Sequence, residues 1–174
     1  MGAMCITSTR TDARCGSGGA ECKACGACLE CSSAGACTPA ATARWDLICA
    51  SAVITPLHDG EDWDSGSQST QAPDPYCELI LDGFSRGTTE TKDDTLMPAW
   101  NESISGDTPL TSSVLTATVP RWAVYVYDED SSSDHEICSV SERFTTANLT
   151  AGTVTFTGDG DCQSLTLKAV CAAN

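Results

Sequence analysis

Lysine is nearly missing from this chain. There are three, Lys23, Lys92 and Lys168, and 9 basic residues stand against 24 acidic ones in a length of 174. The resulting net charge of −15 argues against nucleic acid as a partner, because contact with a phosphate backbone needs clustered Lys and Arg. It argues equally against a bare anionic membrane, which repels such a surface. A divalent cation is attracted instead, since it relieves repulsion among carboxylates. Aromatic residues are scarce as well, at 6%. No segment repeats its apolar residues with a 3.6-residue period over ten residues or more, so long amphipathic helices are not expected. No apolar run is long enough to cross a bilayer, and no signal peptide is visible. The opening Met1-Gly2-Ala3-Met4 reads as an expression scar where a secretion signal has been removed.

What is present favours strands. Fourteen glycines and many Ser and Thr suit short strands joined by polar turns. Residues 46–54 predict a first strand, followed by a long polar loop from His58 to Pro73. Further strands are expected at 76–81, 87–92, 99–104, 112–119, 122–127, 137–140, 153–156 and 164–170. Trp122 to Tyr127 is the clearest, because every residue but Ala123 favours β structure. Gly158-Asp159-Gly160-Asp161 reads as a hairpin turn. The expected fold is all-β: an antiparallel sandwich of about eight strands over 45–174. Residues 1–44 hold few apolar side chains beyond Ala and Cys and form a small disulfide-rich N-terminal module.

The chain holds 12 cysteines, seven of them between Cys5 and Cys37. Such density points to disulfides and an oxidising compartment, hence a secreted or cell-surface protein. Cys15, Cys22, Cys25, Cys28, Cys31 and Cys37 are candidates for three bridges, and Cys162 and Cys171, which flank the last strand, for another. The run Cys22-x-x-Cys25-x-x-Cys28-x-x-Cys31 also has near-iron–sulfur spacing, but its last gap is one residue short and Ser32 replaces the proline that follows in that motif. A zinc site is the third alternative for this run.

Two acidic clusters each follow a predicted strand: Asp59, Glu61, Asp62 and Asp64, with Asp74 beyond them, and Asp128, Glu129, Asp130, Asp134 and Glu136. Loops of this composition supply the six to eight oxygen ligands that calcium takes. Around them the sequence resembles the C2 domain family. Asp74-Pro75-Tyr76 looks like the family's aspartate-proline-tyrosine motif. Thr95-Leu96-Met97-Pro98-Ala99-Trp100-Asn101-Glu102 is similar to its threonine-x-x-proline-x-tryptophan-asparagine-glutamate segment. Val126-Tyr127-Asp128-Glu129-Asp130 resembles the strand entering its third calcium loop. The resemblance spans residues 46 to 172. It implies Asp74, Asp128 and Asp130 as Ca2+ ligands, with Asp64 as substitute for the family's first-loop aspartate, where this chain has Gln68. It implies either Asp134 or Glu136 as the last ligand, Asp134 being favoured.

Family members commonly use calcium to dock on anionic lipid. Here lysine is scarce, Ser131-Ser132-Ser133 occupies a loop tip, and only Trp63 offers an apolar anchor. The expectation is therefore a calcium-binding extracellular module with a structural or adhesive role, meeting protein or polysaccharide at a cell surface. A self-assembling subunit of an extracellular filament or coat, and a calcium-dependent phospholipid binder, are the alternatives. No enzyme is expected. Gly83-Phe84-Ser85-Arg86-Gly87 matches a nucleophile elbow, but a strand-like stretch follows where that motif needs a helix. His58 and His135 both lie in acidic loops, near the predicted calcium pocket.

Overall fold

The computed structural model describes residues 15–16, 24–63, 72–130 and 133–172. Its long strands alternate buried and half-buried residues. β3 (Arg44–Ile54), β4 (Pro75–Leu81) and β8 (Trp122–Asp128) bury every second residue over most of their length, as a pleat with one face on the core requires. A hairpin precedes them, β1 (Leu29–Cys31) paired with β2 (Cys37–Pro39). The remaining elements are β5 (Phe84–Thr88), β6 (Ala99–Ser103), β7 (Leu110–Thr111), α1 (Ser112–Leu115), β9 (His135–Val140), α2 (Thr146–Ala151), β10 (Thr153–Asp159) and β11 (Cys162–Cys171).

Two antiparallel sheets form the sandwich. One runs β10-β11-β3-β6, with β7 also on β3; the other runs β5-β4-β8-β9. Leu47, Leu79, Val124, Val126 and Leu167 are fully buried between them. Cys49 on β3 and Cys77 on β4 join the two sheets by a disulfide through the middle of that core. Eight strands besides the two-residue β7 make up the expected all-β sandwich.

Two predicted strands differ in the structure. Residues 112–119 do not form a strand. Thr111 caps a helical turn by accepting the Val114 N–H on its side chain, and Ser112 and Leu115, three apart, face inward together. The third strand begins earlier than expected, at Phe84, because Asp82 and Gly83 both take positive φ, 53° and 81°, and turn the chain at once after Leu81. That is the two-residue geometry that matches strand twist. Ser85 therefore lies within β5, on a hairpin arm, and not at a strand-to-helix turn.

The cysteines pair differently from expectation. Cys162 and Cys171 do not join each other: they sit at opposite ends of a ten-residue strand, about 30 Å apart at the usual rise per residue. Cys162 binds Cys138 on β9, and Cys171 reaches back to Cys28. Cys28 thereby leaves the N-terminal set, in which Cys15 pairs with Cys31 and Cys25 with Cys37. Cys25, Cys28 and Cys31 are thus committed to disulfides and present no thiolate to a cluster or to zinc. Cys22 lies outside the described residues.

Candidate metal site at one end of the sandwich

Antiparallel pairing brings four connections to the same end. β3 finishes at Ile54 and β4 starts at Pro75; Pro75 pairs with Asp128, the last residue of β8, and Asp128 pairs with His135, the first of β9. The turn between β10 and β11 arrives there too: the Thr55 N–H donates to the Asp161 carbonyl, and the Asp161 N–H to that of Ile137, each at 2.8 Å. From the β5–β6 connection, the Asp94 N–H donates to Asp74 Oδ1 at 2.6 Å.

Asp74 and Asp128 are held by each other. The Asp74 N–H donates to Asp128 Oδ1 at 2.6 Å, and the Glu129 N–H returns to the Asp74 carbonyl at 3.1 Å. Asp128 is 1% exposed, a buried carboxyl group at the head of the loops. Asp130 and Asp134 lie together, the Asp130 N–H donating to Asp134 Oδ1 at 3.3 Å. Glu136, the alternative last ligand, stands in β9 opposite Tyr127, on the outer face of the sheet. Asp64 lies outside the described residues.

Upstream, Asp59 and Gly60 turn the chain with positive φ, so that His58 and Glu61 exchange backbone hydrogen bonds of 2.9 Å. This small turn sets His58, Asp59, Glu61, Asp62 and Trp63 in the lining of a cavity of about 460 Å³ that Asp128 and His135 complete. Trp63 is held inward: its indole N–H donates to the Thr55 carbonyl at 2.9 Å, and its ring lies 5.0 Å from that of His58. Both histidines are oriented by carboxylates, His58 Nδ1 by Asp161 at 2.7 Å and His135 Nδ1 by Asp130 at 2.6 Å. The bond to Asp161 raises the His58 pKa above its ordinary value. On the rim, burial and then the hydrogen bond to Asp134 raise that of Tyr76.

The donors on this end are hard oxygens, the chemistry that suits calcium. Among the described residues, the only three metal-ligating atoms of different side chains within 4.8 Å of one another are the sulfurs of Cys15, Cys25 and Cys37, which are in disulfides. The acidic side chains thus share one end of the molecule without converging on one point; several are turned toward donors of the protein itself. Asp161 is a residue that the sequence does not single out. It reads there as part of a hairpin, and nothing local signals that the hairpin folds beside His58.

No curated protein matches this chain. Among solved structures, the tandem C2 domains of Extended-Synaptotagmin 2 superpose with a TM-score of 0.51 at 15% identity, over 76% of this chain and 42% of that one. An isolated C2 domain gives 0.49 at 14% identity, over 75% and 99%. Human GIVD cytosolic phospholipase A2 gives 0.46 at 22%, over 75% of this chain and 18% of the phospholipase. The chain therefore spans under half of the synaptotagmin structure and under a fifth of the phospholipase. The sequence profile of the C2 domain matches residues 53–155, more than half of the 174 residues. This chain belongs to the C2 domain family.

Proposed function

We propose that this protein is a non-catalytic, secreted calcium-binding module whose ion bridges the β3–β4 and β8–β9 loops. C2 domains commonly bind calcium. The observation that carries the reading is the pairing of Asp74 with Asp128 through a 2.6 Å hydrogen bond, with Asp130 and Asp134 next to them. That bond, from the Asp74 backbone to the Asp128 carboxylate, joins two acidic loops more than fifty residues apart, on a chain of net charge −15. Bound cation offsets their repulsion and ties the loops together, which is a structural or adhesive use of the metal. Self-assembly into a filament or coat is compatible with that use, and the disulfides support an oxidising location.

Thermal melting of the non-reduced protein, in calcium and then in excess chelator, is the test. A ligand at a hundredfold excess over Kd adds about 2.7 kcal/mol to stability. For a chain of this size that is a rise of roughly 5–10 °C in melting temperature. The rise is expected to vanish in Asp128→Asn and in Asp130→Asn, the second being the milder change because Asp130 is not fully buried. Absence of any shift at millimolar calcium overturns the reading.

One observation favours a second use of the same ion. Leu57 is 44% exposed and Met97 71% exposed, and both lie in connections at this end of the sandwich. Apolar side chains beside a calcium site suit calcium-dependent insertion into lipid. Liposome sedimentation checks this directly: pelleting that requires calcium and is lost in Leu57→Ser/Met97→Ser supports lipid docking, and no calcium-dependent pelleting removes it.

A further inference from the structure

All three tyrosines of the chain stand on one face of the β5-β4-β8-β9 sheet. Tyr76 on β4 is in register with Tyr127 on β8, Glu78 with Tyr125, and Tyr127 in turn with Glu136 on β9. Their strand neighbours Cys77, Val124 and Val126 are fully buried, so the tyrosines occupy the outer side of the pleat. The rings are in contact. Tyr125 and Tyr127 stack at 5.6 Å with 12° between their planes, and Tyr76 lies 5.5 Å from Tyr127.

Among the described residues, the charged groups acting on Tyr76 and Tyr127 are acidic. The Tyr76 hydroxyl donates to Asp134 at 2.7 Å. The charges acting on Tyr127 are those of Glu78, Glu136 and Asp134. Lys92, on the neighbouring connection, is committed to Glu102 at 3.0 Å. Stacked tyrosines stabilise a sheet without help from carboxylates, and like charges gathered around them are a cost to the folded state. A cation laid on the face reverses that cost. It gains twice, from the negative faces of the rings and from the flanking carboxylates.

We propose that this face docks an arginine- or lysine-rich segment of a protein partner, with its cationic heads held between Glu78 and Glu136 against the rings of Tyr125 and Tyr127. Charge complementarity selects that occupant, since nucleic acid and anionic lipid are repelled by the same residues. Arginine suits the face better than lysine, because its planar guanidinium both stacks on rings and forks onto a carboxylate. The face adjoins the loop end at Asp134, but Glu78, Glu136, Tyr125 and Tyr127 do not line the loop cavity, and the proposal does not depend on bound calcium.

Titration with an octa-arginine peptide, in chelator and at about physiological ionic strength, tests it. Glu78→Gln/Glu136→Gln is expected to weaken binding by about tenfold or more. Asp107→Asn/Glu142→Gln removes the same charge from exposed positions elsewhere and is expected to change it by less than about threefold. Tyr127→Thr, which keeps strand preference, is expected to weaken binding as well. The ring resonances of Tyr125 and Tyr127 are expected to shift as peptide is added, a readout that holds even if the Tyr127 variant folds poorly. Equal weakening by the two double variants means that only net charge is sensed, and overturns the proposal. So do unmoved ring resonances, or phosphatidylcholine vesicles binding in place of the peptide.

Discussion

His58 carries the clearest link between one side chain and solution behaviour. Its hydrogen bond to Asp161 raises its pKa above 6.5 in the folded protein. The folded state then holds this proton at pH values where the unfolded chain has released it. The stabilisation is fully present below about pH 6.5, and is lost as pH rises through the higher folded value. The side chain is 42% exposed, so solvent screens much of the gain. His58→Gln is expected to show a flatter stability-against-pH curve than the parent above about pH 6.5, measured by chemical denaturation in chelator; parallel curves exclude the coupling. At this scale the ligand candidates Asp74, Asp128 and Asp130 are readable as motif positions, and Asp134 only as a substitute for the position that Glu136 occupies. The partners that aim the side chains of this end are not, because they are remote in the chain. Asp94 lies 20 residues from Asp74, Tyr76 58 from Asp134, and Asp161 103 from His58.

Among the elements, turns decide more than strands. Gly160 opens the β10–β11 turn with φ of 53°, and a Cβ there would lie 2.6 Å from the Ile137 carbonyl oxygen. Gly83 opens onto empty space at φ of 81°. A side chain strains the backbone at both positions, but only at Gly160 does it also force the β9 backbone away. Gly160→Ala is therefore expected to cost about 1–3 kcal/mol, and Gly83→Asn close to nothing, since Asn tolerates positive φ. Urea unfolding midpoints check the ranking, and a Gly83 change as costly as that at Gly160 contradicts it. Strands β4 and β8 are legible because their residues favour β structure and short motifs mark their ends at Asp74-Pro75-Tyr76 and at Asp128. The stretch after Thr111 is not: Val114 and Thr116 favour β structure singly, while the cap at Thr111 and the inward pair Ser112 and Leu115 impose a helical turn. α2, six residues long, is too short to show a helical period at all.

Across the whole molecule, disulfides set what the sheets can do relative to each other. Cys49–Cys77 closes a separation of 28 residues and crosses the core between the two sheets. Its replacement in Cys49→Ala/Cys77→Ala is expected to cost about 3–4 kcal/mol by chain entropy alone, a fall of roughly 10 °C in melting temperature. Differential scanning calorimetry of the oxidised proteins measures it; a shift of less than about 3 °C means that packing, and not the bridge, holds the sheets. Cys138–Cys162 ties β9 to β11 beside the candidate metal site, and Cys28–Cys171 ties the residue before the N-terminal hairpin to the last strand over a separation of 143.

The amino-acid sequence by itself determined the β class, the family and the carboxylates at the loop ends, because strand propensity and short motifs are local properties of the chain. Cysteine pairing, the approach of Asp161 to His58 and the gathering of three tyrosines among carboxylates were decided only by the tertiary structure. Each depends on which strands become neighbours, and that follows from burying one common core rather than from any segment read alone.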